Sequence, residues 1–502
     1  MNASSFKQAK KNYDFLVDLS NNWLIRYYGK NFNVLGVNLE KVQAFSQFYF
    51  FTNLFENRNM KDVWTTYPEK GTDNRPLYFK VLTRILDLLK GILRPVKKAD
   101  ILNGNHDLII VSSGRHLENL LNLLYFLKSK YNIFVVGKIE LNTQTLLRKK
   151  NIEFLNISCG RDFMPRIERL SLIFKYLMKN WTAKRHHKFL KGEKWFSRLF
   201  YLKLVQLPEI EALIKIANQV YTKNKAKIIL TSSSNDLFGS AFTLTAQSLN
   251  MGVVEIQHGL SVWKIIESNF YNSDYYLVWG EVSKKRHPKN AVIAGCPYFK
   301  KEQILKNPTN FTRLKKVRIL VLWTPPFGEM SLFKTKPDSE ILENLLAGLT
   351  NLPSSWKVIL RSHPGYNFES FVEDIKFPLN VATDREKDIW KSIEKSDIVV
   401  TQPTTAGLIS MMQKKPMLFF DSSYLSKQFG DNIFLESKCA TNVPTRDLSR
   451  ISVYIKRIVS DTNLRKRQIE AQETFLSHYF YCMGEDSFKR ISEIIMKHQK
   501  HV

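Results

Sequence analysis

The feature that most limits what this chain can fold into lies in its last third. Across residues 356–421, short apolar runs repeatedly end on polar clusters. Residues 357–360 have the composition of a buried strand and end on Arg361, Ser362, His363 and Pro364. Residues 389–393 have the spacing of a short helix. Residues 397–400 form a second buried run, ending on Gln402, Pro403, Thr404, Thr405, Ala406 and Gly407. Residues 408–413 then turn helical, and residues 416–420 make a third apolar run, ending on Asp421. Apolar strands that alternate with helices predict a parallel sheet with both faces covered. Ligands of such sheets bind beyond the carboxyl ends of the strands. Here those ends carry an imidazole, a guanidinium and paired hydroxyls.

That arrangement points to anion binding. Thr404 and Thr405 stand where a helix begins, with Gly407 allowing close approach of the backbone. The unpaired N–H groups and partial positive charge of a helix N-terminus suit a phosphate. Arg361 and His363 can add charge-assisted hydrogen bonds. Taken singly, Thr404 reads first as an N-cap and His363 as a turn residue before Pro364. Their occurrence at successive strand ends of one sheet favours a site.

A chain of 502 residues has room for two or three domains. Lys and Arg number 75 against 46 Asp and Glu, a formal net charge of +29. So basic a balance implies an anionic partner: nucleic acid, an anionic membrane surface or phosphorylated substrates. The four cysteines, 159, 296, 439 and 482, form no CxxC pair. They fit a reducing compartment and argue against a disulfide framework or a zinc site. The N-terminus has no apolar run of the secretory type. No stretch reaches the ~18 apolar residues of a membrane span. The expected location is the cytoplasm, with peripheral contact to the inner face of the cytoplasmic membrane left open.

Residues 1–100 predict an aromatic-rich, mostly helical region. Within it, residues 80–98 place Ile85, Leu88, Leu89 and Ile92 on one face among six Lys and Arg, suiting either a membrane surface or the core. Residues 101–300 predict a first Rossmann-like domain, which begins with a strand at 107–112, a turn at Ser113, Gly114 and Arg115, and a helix. Without a full GxGxxG this is weak evidence for a dinucleotide. A basic helical insert, residues 161–205, interrupts the alternation with aromatics among its Lys and Arg. It suits an anionic lipid interface or a polyanionic polymer, and its His186 and His187 read as surface residues. Residues 296–316 read as a linker. A second Rossmann-like domain follows at 317–440, and residues 445–502 are helical.

His258 follows a strand at 253–256, with Gln257 before it and Gly259 and Lys264 after it. A strand-end histidine is either a general base or a hydrogen-bonded turn residue. Asp236, in the stretch TSSSNDLFGS, is a second candidate base, with an ordinary N-cap as its simpler role. Glu281, Thr324, Gln402 and Asp421 also stand at strand ends and complete the expected cleft.

The segments EIQHGL, DYYLVWGE, AGCPYF, LRSHPGYN and SDIVVTQPTTAGLISM, in that order, resemble bacterial GT-B-fold transferases of surface polysaccharide synthesis. The relatives in view are capsule glycosyltransferases of the polysialyl- and Kdo-transferase types and CDP-glycerol glycerophosphotransferases. The resemblance covers residues 230–421 well and the N-terminal third poorly. It implies a GT-B-like α/β fold, two Rossmann-like parallel-sheet domains facing across a cleft. It implies that His363, Pro364, Thr404 and Thr405 hold the nucleotide's phosphates and that His258, with Gly259, is the catalytic base. The hydroxyl pair, often Ser-Ser in those families, is Thr-Thr here.

The expected activity is therefore a metal-independent glycosyltransferase of capsule, O-antigen or lipopolysaccharide synthesis. It needs no cofactor and takes a CMP-, CDP- or UDP-linked sugar to a polysaccharide or lipid-linked acceptor. A polyol-phosphate transferase and a nucleotide-sugar 2-epimerase are the alternatives within the fold. Outside it stands a non-catalytic polyanion-binding protein. No nucleic-acid motif accompanies the charge, and no DxD motif in a strand-end context suggests a bound metal.

Overall fold

The computed structural model describes residues 33–42, 104–178, 206–234, 236–260, 272–287, 290–305, 316–323, 336–363, 380–402, 404–420 and 433–499, with 18, 96 and 378 singly. Pro364, Pro403, Thr324, Asp421, Lys264, the helix expected at 80–98 and most of the basic insert lie outside them.

The first sheet has seven strands: β1 Leu108–Val111, β2 Ile133–Gly137, β3 Glu153–Asn156, β4 Ile228–Thr231, β5 Gly252–Ile256, β6 Tyr275–Val278 and β7 Ala291–Ile293. Their order is β3-β2-β1-β4-β5-β6-β7, every neighbouring pair parallel. Along β1, Ile109 and Val111 enter one core while Leu108 and Ile110 enter the other. A strand buried on both faces has to be apolar at every position, which is why these runs read as continuous rather than alternating. Helices α1 Gly114–Lys128, α2 Leu141–Lys149, α3 Arg166–Met178, α4 Leu207–Thr222, α5 Leu237–Ser248 and the short α6 Glu281–Lys284 make the crossovers.

The second sheet has six parallel strands: β8 Arg318–Trp323, β9 Lys357–Ser362, β10 Val381–Thr383, β11 Ile398–Thr401, β12 Met417–Phe419 and β13 Thr441–Asn442. Their order is β10-β9-β8-β11-β12-β13. Helices α7 Lys336–Leu349, α8 Ile389–Glu394, α9 Thr405–Met412 and α10 Ile433–Glu436 belong to it. In each sheet the strand order thus reverses once, between β1 and β4 and between β8 and β11, and doubly wound folds place ligands at such reversals. The chain has the GT-B-like architecture of two Rossmann-like domains.

Two local features go beyond the expectation. In the N-terminal region expected to be mostly helical, Asn33–Val34 and Val37–Asn38 pair as a hairpin. Leu35 and Gly36 both have positive φ, 49° and 80°, the requirement of the tight turn that matches strand twist. Val37, Leu39 and Val42 enter the first domain's core. The segment read as a linker begins buried instead. Cys296 and Phe299 pack with Leu260, Trp279, Phe475, Tyr479 and Phe480 in one apolar cluster shared by the two domains. The Leu305 amide donates to the Met412 carbonyl at 2.9 Å.

The C-terminal helices belong to both domains. α11 Ile451–Ser460 covers α7, and α12 Thr462–Tyr479 lies against α9. On α12, Gln468 and Gln472 bond to backbone carbonyls of Met417, Lys415 and Cys439. α13 Glu485–Gln499 then returns to the first domain, where Phe488, Ile491 and Ile495 join its core.

Candidate functional site

The carboxyl ends of β1 and β4 are tied together first. Ser112 and Ser232 hydroxyls lie 2.6 Å apart. Ser234 turns inward, its amide and hydroxyl reaching the buried Glu255 carboxylate at 2.9 and 2.5 Å. Burial pushes the Glu255 carboxyl up to about 7, against the opposing Ser234 bonds. Asp236 ends this turn as the N-cap of α5, accepting from the Gly239 amide at 2.7 Å. Its carboxylate is thus engaged in capping the helix.

Two histidines meet beside this turn. His116 sits in the first turn of α1, directly after β1, and His258 follows β5. Their rings meet edge to face, with centroids 4.6 Å apart. Burial, then His116, pushes His258 down to about 3, with a hydrogen bond to the Ser232 backbone opposing. The Nδ1 of His258 is buried and has no hydrogen-bond partner among the described residues. Burial also lowers His116, opposed by the Asp236 carboxylate and reinforced by His363 of the second domain. Both imidazoles are therefore neutral at pH 7. His287, after α6, is pushed down to about 3 by burial and by His258.

The second domain brings its own strand ends to the same place. The Thr405 hydroxyl accepts from the Leu260 amide at 3.0 Å, so the first turn of α9 touches the loop that carries His258. A side chain at Gly259 would put its Cβ 3.2 Å from that hydroxyl. Thr404 occupies the N-cap position in extended conformation without making a side-chain cap bond. The Gly407 amide turns back to the Thr404 carbonyl at 3.0 Å, and the Thr405 and Ala406 amides ahead of it receive no side-chain cap from Thr404. Ala406 is half-buried in the same turn. His363 is half-buried, its amide bonded to the Trp323 carbonyl at 2.9 Å, and Ser362 pairs with Trp323 at the end of β9.

Several expected site residues have other duties. The Arg361 guanidinium is engaged within its own domain: Nη1 reaches Asp384 at 2.8 Å, the Glu386 carbonyl at 2.6 Å and Ser392 at 3.0 Å, and Nη2 reaches the Lys387 carbonyl at 3.1 Å. It braces the loop after β10. Gly407 makes room for an aromatic ring, since an added Cβ would lie 2.8 Å from Phe434. Gln257 is buried and shapes the His258 turn, donating to the Gly259 carbonyl at 2.7 Å and accepting from the Trp279 amide at 3.0 Å. Gln402 is buried beneath the turn after β11. Glu281 lies exposed on α6, which packs on α12. His116 is the residue that reading the sequence missed. Its signal was its place, directly after the first Gly-containing turn of a doubly wound domain.

Fold and geometry together define a two-domain, doubly wound α/β protein whose facing strand ends bring neutral histidines against an uncapped helix N-terminus. No protein-family model matches the chain, and comparison with curated proteins gives no match. Solved structures do match. Anabaena HepE, solved with UDP-glucose, is 10% identical over 79% of this chain and 100% of its own, with a TM-score of 0.47. CalG4, the calicheamicin glycosyltransferase, is 11% identical over 79% and 99%, with a TM-score of 0.46. MnaA of S. aureus, solved with UDP, is 12% identical over 79% and 98%, with a TM-score of 0.48. Among the described residues no group of side chains could hold a metal ion, and no helix is long and apolar enough to cross a membrane.

Proposed function

We propose that this protein is a glycosyltransferase that takes a sugar from a nucleotide-activated donor. The observation that carries the proposal is the contact of the first turn of α9 with the His258 loop, through the Leu260 amide and the Thr405 hydroxyl. It sets an uncapped helix N-terminus, which suits a phosphate, beside a neutral imidazole with an unpartnered nitrogen, which suits a proton in flight.

In this reading the donor's phosphates meet the α9 amides, the Thr404 and Thr405 hydroxyls and His363. An acceptor hydroxyl approaches from the first domain and loses its proton to His258, with His116 beside it as the second imidazole within reach. The acceptor oxygen bonds to the sugar carbon as that carbon's bond to the phosphate oxygen breaks. The charge left on the nucleotide is held by fixed N–H and O–H donors, so the step calls for no resident metal. Asp236 acts through charge, favouring protonation of His116. An anionic donor entering the cleft shifts both imidazoles upward in the same way, toward the range of an effective base.

The role we infer is surface polysaccharide synthesis, at the inner face of the membrane, with a polysaccharide or lipid-linked acceptor. The motif resemblance and the +29 charge support it. The test is nucleotide binding, followed by thermal shift with CMP, CDP, UDP and GDP and their sugar or glycerol conjugates. Stabilisation by one nucleotide that is lost in Thr404→Val with Thr405→Val supports the reading. No shift with any of them in folded protein sinks it.

A further inference from the structure

α3 is an amphipathic helix whose rotation is locked. On its inner side Leu172, Ile173 and Tyr176 are buried. Arg169 is buried too, donating to the Met164 and Asp162 carbonyls, each at 2.9 Å. The Tyr176 hydroxyl donates to Glu211 of α4 at 2.6 Å, and Lys215 of α4 reaches Glu168 at 2.7 Å. These bonds fix which side of α3 faces outward. On that side stand Ile167, Leu170 and Phe174, 79%, 49% and 62% exposed. Spacings of three and four residues align them in one stripe. An exposed apolar stripe of this kind on a basic protein marks an interaction surface.

We propose that the outer face of α3 seats this protein on an anionic lipid surface. The choice of occupant follows from charge. α3 ends at Met178, and the 27 residues that follow, 179–205, carry eight Lys and Arg against one acidic residue. A second copy would bring the same cations against themselves. A nucleic acid would meet the cations but gain nothing from an aliphatic stripe. Anionic lipid satisfies both, taking the apolar side chains into the acyl boundary while its headgroups attract a chain of net charge +29. The inference deepens the proposed function, because a lipid-linked acceptor lies on such a surface, yet its test reads lipid binding alone.

The experiment is flotation of the full chain with vesicles of phosphatidylcholine and with vesicles half phosphatidylglycerol. The wild type is expected to float with the anionic vesicles, less so at high salt. Ile167→Asp with Phe174→Asp should cut that partition roughly tenfold or more, without changing the melting temperature or nucleotide binding. Leu170→Ser with Phe174→Ser gives the same reading if the aspartates prevent folding. Three results overturn the proposal: no flotation of the wild type, equal flotation of wild type and variants, or a stripe shown to be covered otherwise. A fall in melting temperature in both variant pairs would mean that the chain itself covers it. A dimeric wild type with monomeric variants would mean that a second copy does.

Discussion

His258 and Glu255 belong to one strand and one loop, yet burial moves their protons in opposite directions. Burial favours the uncharged form of each. For His258 that is the free base, which drops it from 6.5 to about 3. Its contribution to stability is complete above pH 6.5 and is lost as the pH falls toward 3. For Glu255 it is the protonated acid, which rises from 4.5 to about 7. Its contribution is complete below pH 4.5 and is lost as the pH rises through 7. Glu255→Gln should therefore flatten the decline in stability between pH 4.5 and 7, as read by urea unfolding; an unchanged slope would mean the carboxyl is already ionised. His258→Ala should lower turnover by about 10²- to 10⁴-fold while nucleotide binding stays near the wild-type value. Full activity in that variant, and again in His116→Ala, would remove both imidazoles from the chemistry. His258 was visible in the sequence because it ends a clear apolar run. His116 was not, since its place after a Gly-containing turn is a weak signal until the fold puts another ring 4.6 Å away.

At the scale of elements, α9 is placed by what lies behind it. Gly407→Ala would push a methyl group toward the Phe434 ring. Overpacking of this kind costs about 1–3 kcal/mol and would shift the helix N-terminus. Both stability and nucleotide binding should fall together, and Phe434→Leu in the same chain should restore part of each; no change in either would show that the ring moves aside freely. Arg361→Ala should instead lower stability, by leaving Asp384 and two carbonyls without their shared donor. Its effect on nucleotide affinity should be smaller than that of the Thr404 and Thr405 pair. The central strands were legible because burial on both faces demands uninterrupted apolar runs. The edge strands β10 and β13 were not: Val381–Thr383 and Thr441–Asn442 are two or three residues long and poorly buried. Nothing local tells such pieces from loops, and only a neighbouring strand makes them part of a sheet.

At the scale of the molecule, the two domains are joined through an apolar cluster centred on Trp279, whose ring meets Tyr298, Phe299, Tyr479 and Phe480. The chain then closes on itself, with Tyr131 donating to the Ser492 carbonyl and Arg490 to the Ile293 carbonyl. Truncation after residue 484 should strip Phe488, Ile491 and Ile495 from the first domain's core and leave an aggregation-prone protein with no cooperative melt. A truncated chain that melts like the wild type would show α13 to be dispensable. Doubly wound architecture, two domains and a strongly basic balance follow from the sequence by itself, because burial on both sheet faces and net charge are written in composition and order. Which polar residues face the cleft was decided only by tertiary structure. Arg361, Asp236 and Gln257 share the strand ends with His258 and Thr405, but their hydrogen bonds are taken up by Asp384, by the Gly239 amide, and by Gly259 and Trp279. A side chain's free valence is known only once its neighbours are in place.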